Sequence, residues 1–75
     1  MKKTIGELFS ELRINKGWNL QEVEAASGVR ATYYHYVEQT NKMPSIDVIK
    51  KLSIAYNVSP LIFFETIQLQ SEKGN

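Results

Sequence analysis

Asn19-Leu20-Gln21-Glu22-Val23-Glu24-Ala25-Ala26-Ser27-Gly28-Val29-Arg30-Ala31-Thr32-Tyr33-Tyr34-His35-Tyr36-Val37-Glu38-Gln39 is the stretch whose reading decides the fold. Asn19 is a good N-cap, because its side-chain oxygen can accept from an early backbone N–H, and Glu22 three residues on can reach back to complete a capping box. Val23, Ala25 and Ala26 follow, so a short helix begins here. Ser27-Gly28-Val29 stops it, since Gly28 takes a positive φ without the steric penalty that a side chain brings. Past this tight turn, Arg30 to about Gln39 forms another helix, with Val29, Tyr34 and Val37 directed inward. The aromatic and branched residues from Thr32 to Val37 would equally suit a strand. Short length and context decide for helix.

The same signals recur on either side. Thr4-Ile5-Gly6-Glu7 has capping-box spacing and opens an earlier helix. Its apolar face is Ile5, Leu8, Phe9 and Leu12, with Glu7, Glu11 and Arg13 elsewhere, and it ends between Asn15 and Gly17. Trp18, directly ahead of the cap Asn19, stands in the hydrophobic-staple position and is expected to pack onto Val23. Downstream, Thr40 to Pro44 is a polar loop. Ser45 then caps a fourth helix carrying Ile46, Ile49, Leu52 and Tyr56, which Asn57 ends. Val58-Ser59-Pro60 supplies an apolar residue, a cap and a proline at the first helical position of a fifth helix.

That last helix holds Leu61, Ile62, Phe63, Phe64, Ile67 and Leu69, too many apolar residues for one stripe facing a small core. Phe63 is expected in the core, and Ile62, Phe64 and Ile67 are expected to face a second subunit. The organisation is therefore one all-α domain over 1–75, a compact five-helix unit with its core at 4–70 and a flexible polar tail at 71–75.

Composition sets the bounds. Seventy-five residues make one domain, and 43% hydrophobic with 23% charged residues is globular composition, neither disordered nor membrane-spanning. Without cysteine there is no disulfide or thiolate metal site, so helix packing or self-association must supply the stability. Glu7 and Glu11 interrupt any signal-peptide-like apolar stretch, and no apolar run approaches the roughly 20 residues a bilayer demands. The expectation is a cytoplasmic protein with no membrane partner. His35 is the one histidine, which argues against a metal site. With no glycine-rich phosphate loop and acids scattered at helix starts, neither an enzyme nor a cofactor is expected. Lys50-Lys51 read as a solvated face and Lys2-Lys3 as a solvated terminus. The formal charge of +1 barely favours an anionic partner, so local patterning must carry any such case.

Two short helices flanking Gly28, with an apolar residue directly after it, make a helix-turn-helix of the kind that seats its second helix in the major groove of DNA. Thr4 to Phe64 resembles the phage repressor and Cro-like family of helix-turn-helix regulators. The matching pieces are Ile5-Gly6-Glu7 with Leu12-Arg13, Gly28-Val29, Val37-Glu38, Pro44-Ser45 and Val58-Ser59. Chain length and the ending Val58-Ser59-Pro60-Leu61-Ile62-Phe63-Phe64-Glu65 are similar to the small restriction-modification controller proteins. The resemblance implies a lambda repressor-like DNA-binding fold with a recognition helix opening near Arg30. It also implies a homodimer, joined through the last helix, that regulates transcription from a pseudo-palindromic operator.

Carried over position by position, the resemblance makes Arg30, Ala31, Thr32, Tyr33 and Tyr36 base contacts. Arg30 suits guanine O6 and N7, and Ala31 offers an apolar contact only. Asn19, Gln21, His35, Gln39 and Lys42 become phosphate contacts. The chain also departs from the family pattern. Glu24 stands where alanine is usual at the helix crossing, and Tyr34 where a branched aliphatic is usual, so the Tyr34 hydroxyl and the Glu24 carboxylate are expected to hydrogen-bond. Leu20 replaces a frequent glutamine, and Arg30 a serine or threonine cap. The rival reading is a protein-interaction module whose apolar last helix binds another regulator. Further partners under either reading are a second regulator or RNA polymerase.

Overall fold

Capping residues place the helices where the local sequence puts them. In a computed structural model describing residues 3–73, the first helix, α1, spans Ile5–Lys16. The Thr4 hydroxyl accepts from the Glu7 N–H, the Glu7 carboxylate accepts from the Thr4 N–H, and Gly17 ends the helix at φ 73°. The second, α2, spans Leu20–Ser27 behind the Asn19/Glu22 box, both of whose hydrogen bonds are 2.8 Å, and stops at Gly28 with φ 83°. The Ser27 hydroxyl donates to the Val23 carbonyl and accepts from the Val29 N–H, which fixes the turn. The third, α3, is Ala31–Thr40, and α4 is Ile46–Tyr56, capped by Ser45 and closed by Asn57. The Ser59 hydroxyl accepts from Leu61 at the start of α5, Leu61–Lys73.

Among the described residues there are five helices and no strand, the all-α class expected. The backbone of α5 runs through Lys73, into the stretch 71–75 expected as a tail. Gly74 and Asn75, like Lys2 of the basic pair, lie outside the described residues.

Each helix contributes to one core. Ile5, Leu8 and Phe9 come from α1, Val23 from α2, Tyr34 and Val37 from α3, Ile49, Leu52 and Tyr56 from α4, and Phe63 from α5, with Val29 from the turn. Full burial of such side chains stabilises by about 1.5–3 kcal/mol each, before the entropy of ordering them is set against it. Phe9 lies at the centre, its ring tilted on Tyr34 at 4.7 Å and edge-on to Phe63 at 6.1 Å.

The polar contacts correct the sequence reading. The Tyr34 hydroxyl does not meet Glu24: it donates to the Phe9 carbonyl at 2.6 Å and lies 2.8 Å from the Tyr56 hydroxyl. A carbonyl can only accept, so the Tyr34 proton points at Phe9 and Tyr56 donates to Tyr34. Tyr34 faces the interior, and its length carries the hydroxyl across the core to α1 and α4, away from the α2 crossing. Desolvation pushes both phenols above the ordinary tyrosine range. Trp18 joins the cluster that contains Val23, but its indole stacks on Tyr56, with ring centres 5.4 Å apart, rather than stapling to Val23 alone.

Arg13, expected off the packed face of α1, bonds through Nε to Glu38 at 2.8 Å and through Nη1 to the Trp18 carbonyl at 3.1 Å. The Glu38 hydrogen bond, the largest contribution, raises the Arg13 pKa further. This pair ties α1 to α3. Nearby, the Gly6 N–H donates to the side chain of Asn41 at 2.9 Å. A Cβ on Gly6 would sit 2.6 Å from the Glu38 carbonyl, so the approach of α1 to α3 requires glycine there. Gln70 of α5 closes the corner, accepting from the Ile5 N–H and donating to the Asn41 carbonyl.

Candidate nucleic-acid interface

The core contacts fix the rotation of α3 and therefore its outer face. Ala31, Tyr34 and Val37 point inward, which leaves Thr32, His35, Tyr36 and Gln39 exposed along the opposite side. Their spacing of three and four residues makes a continuous stripe. Tyr36, a large aromatic, is 51% exposed. Arg30 is exposed at the N-terminal end of this stripe, in extended backbone just before the helix.

A depression borders the stripe on each flank. On one side, a hollow of about 570 Å³ is lined by Asn19, Gln21, His35 and Gln39 together with Ser10, Leu20, Arg13 and Glu38. Four of the five expected phosphate contacts thus converge from α3 and the start of α2. Lys42, exposed in the α3–α4 loop, stands apart from them. On the other side, Arg30 and Tyr33 meet Gly28, Val29, Ser45, Val48 and Lys51 around a second hollow of about 420 Å³. Tyr33 is half-buried, with its body against the core.

Ala31 is the expected base contact that the structure removes. It is 7% exposed and faces inward, because its position lies one helical turn before Tyr34 on the packed side. Its N–H donates to Glu24 Oε1 at 2.9 Å. Sequence reasoning missed this role for Glu24. The available signal was Arg30 itself: a guanidinium has donors only and cannot cap a helix N-terminus, so an acceptor had to come from elsewhere.

The apolar surplus of α5 divides differently from the expectation. Ile62 and Ile67 are half-buried against the core, and Phe64 is exposed. Leu61 and Leu69, not assigned to the interface from sequence, are exposed as well, and Leu61 sits one turn before Phe64. On α4, Ile54 is 82% exposed and lines a hollow with Val58 and Pro60 at the α4–α5 junction. Among the described residues no group of His, Cys, Asp and Glu could hold a metal ion, and no helix is long and apolar enough to cross a membrane.

Comparison with known proteins agrees with this geometry. A family described as helix-turn-helix matches residues 9–63, from the middle of α1 to Phe63. An uncharacterized HTH-type transcriptional regulator of Sinorhizobium fredii is 36% identical over 59 residues, covering 79% of this chain and 77% of that protein. No solved structure gives a significant match.

Proposed function

The chain belongs to the helix-turn-helix family, a DNA-binding class rather than an enzymatic one, and from that premise we propose that it regulates transcription as a homodimer on a pseudo-palindromic operator. The observation that carries the reading is the exposed stripe of α3. Arg30, Thr32, Tyr36 and, at the flank, Tyr33 face the base edges, while Asn19, Gln21, His35, Gln39 and Lys42 meet phosphates. Base contacts give sequence preference and phosphate contacts give register and salt-dependent affinity.

Dimerisation is supported by the apolar side chains that a lone chain leaves in water: Leu61, Phe64 and Leu69 on α5, with Phe64 the residue shared with the sequence expectation. In a two-fold dimer joined through this helix, the two copies of α3 are to meet half-sites about 34 Å apart on one side of the duplex, the spacing of helix-turn-helix dimers. Such a protein acts in the cytoplasm, where it meets its operator. The 82% exposure of Ile54 favours a second reading, in which the α4–α5 junction binds another regulator.

Selection of bound duplexes from a random pool tests the main reading. The expected result is an inverted repeat with half-site centres one helical turn apart, bound with an affinity that falls steeply with salt. A pool with no repeat symmetry refutes the dimeric operator, and no enrichment at all favours the interaction module.

A further inference from the structure

We propose that Glu24 is the cap of α3, delivered across the turn from α2, and that this arrangement frees the cap position for Arg30 to face the duplex. The proposal deepens the DNA reading above and rests on it for its second half. At the starts of α1, α2 and α4 the residue at the cap position, Thr4, Asn19 or Ser45, folds its own oxygen back onto an N–H of the first turn. At α3 that position holds Arg30, with φ −60° and ψ 137°, and no side-chain cap bond is made from it. The first turn of α3 also contains no acid that could compensate.

The Glu24 carboxylate fills this gap, accepting from the Ala31 N–H at 2.9 Å. The same residue's carbonyl accepts from the Gly28 N–H at 2.8 Å, so Glu24 holds both the turn and the helix beyond it. A negative charge at a helix N-terminus also complements the aligned peptide dipoles. Two jobs that usually compete for one position are thereby separated. A cap must be an acceptor aimed at the first N–H groups of the helix. A guanine-reading or phosphate-binding side chain must be a long donor reaching away from it. Here Glu24 does the first and Arg30 the second, which makes Glu24 a positioning residue for Arg30 without any contact to DNA.

A double-mutant cycle tests the cap without DNA. Urea unfolding of wild type, Glu24→Ala, Arg30→Thr and the double variant gives four folding constants. Glu24→Ala is expected to lower the constant about fivefold in the wild-type background, the ordinary effect of losing a cap. In the Arg30→Thr background, where the new hydroxyl caps locally, the same change has an effect under about twofold. Glu24→Gln, which keeps an acceptor oxygen, stays closer to wild type than Glu24→Ala does. An equal loss in both backgrounds overturns the cap assignment.

The second half is read from base preference, with random-pool selection at a temperature where every variant is folded. Glu24→Ala is expected to lose preference at the same base pair as Arg30→Ala, while the salt dependence of its non-specific binding stays at the wild-type slope. Glu24→Gln keeps the preference. Full wild-type preference in Glu24→Ala overturns the positioning role. A wild-type chain that selects no sequence, with the cycle still non-additive, overturns the DNA reading and its extension to Arg30 and leaves the cap in place.

Discussion

Replacing Tyr34 by Phe takes one oxygen out of the centre of the core and leaves the apolar packing intact. The lost hydroxyl donates to the Phe9 carbonyl and receives from Tyr56, whose side chain belongs to a residue only 5% exposed. A buried donor left without a partner costs about 1–3 kcal/mol. The Phe9 carbonyl keeps its place in the α1 ladder, so the loss falls mainly on Tyr56, and the expected deficit at pH 7 is about 2 kcal/mol. The pH dependence is the sharper test. Burial raises the Tyr34 phenol above its ordinary value. A group raised in the folded state gives stability that is fully present below its unfolded pKa, about 10 for tyrosine, and lost as pH climbs beyond it. Above that point the unfolded chain releases the proton and the folded chain does not. Wild type therefore loses about 1.4 kcal/mol per pH unit that the variant, having no phenol there, keeps. Tyr56 titrates in both proteins and largely cancels. A 2 kcal/mol deficit at pH 7 should then vanish roughly 1.5 units above pH 10, near pH 11.5. Urea unfolding followed by far-ultraviolet circular dichroism at intervals from pH 7 to 11 measures the difference. A deficit that stays constant over this range, or is absent at pH 7, refutes the buried tyrosine pair.

Four further variants probe the helix contacts and the α5 surface. Gly6→Ala forces a methyl to within 2.6 Å of the Glu38 carbonyl and of Asn41 Oδ1, and is expected to destabilise by about 1–3 kcal/mol, read as a fall in Tm. Arg13→Ala strands the Glu38 carboxylate, which is 5% exposed, and should cost about 3 kcal/mol in denaturant unfolding, the low end for a broken buried pair because Arg13 itself is 22% exposed. Arg13→Lys should recover only part of this, since lysine lacks the planar fork that reaches Glu38 and the Trp18 carbonyl together. A Leu61→Glu, Phe64→Glu double variant should keep its helix content, because both residues are exposed, yet sediment as a monomer and lose most of its affinity for a two-half-site operator. Sedimentation as a dimer would move the interface off this face.

What could be read from sequence divides by distance along the chain. The Thr4/Glu7 and Asn19/Glu22 boxes, the Ser45 cap and the stops at Gly17, Gly28 and Asn57 are contacts between residues within a turn of each other, where the partner is fixed by helix geometry alone. The inward set Val29, Tyr34 and Val37 follows from periodicity in the same way. The destinations of buried polar groups do not. Arg13 and Glu38 are 25 residues apart, Tyr34 and Tyr56 are 22 apart, and Ile5 and Gln70 are 65 apart. Each pairing depends on which helix lies across from which, and no local rule selects Tyr56 over Glu24 as the partner of Tyr34. The rotation of α5 was hidden for a related reason: apolar residues on several sides leave its docked face to be chosen by the core, which takes Phe63 and half of Ile62 and Ile67.

The near-neutral charge is the property that argued least for DNA, and its placement alters its meaning. Of the eight acidic residues, Glu7 and Glu22 complete capping boxes, Glu24 caps α3, and Glu38, Glu11 and Asp47 face Arg13, Lys3 and Lys51. Of these six, the carboxylates at helix N-termini are offset by the peptide dipoles, and the other three by their partners. Arg30 and Lys42 stand exposed before and after α3, in no ion pair among the described residues, and the outer stripe between them carries no acid. Exposed charges act over about a Debye length, ~8 Å at physiological salt. A phosphate approaching α3 therefore meets Arg30 and Lys42 rather than the sum over the chain, and a formal charge of +1 is compatible with a positive recognition surface.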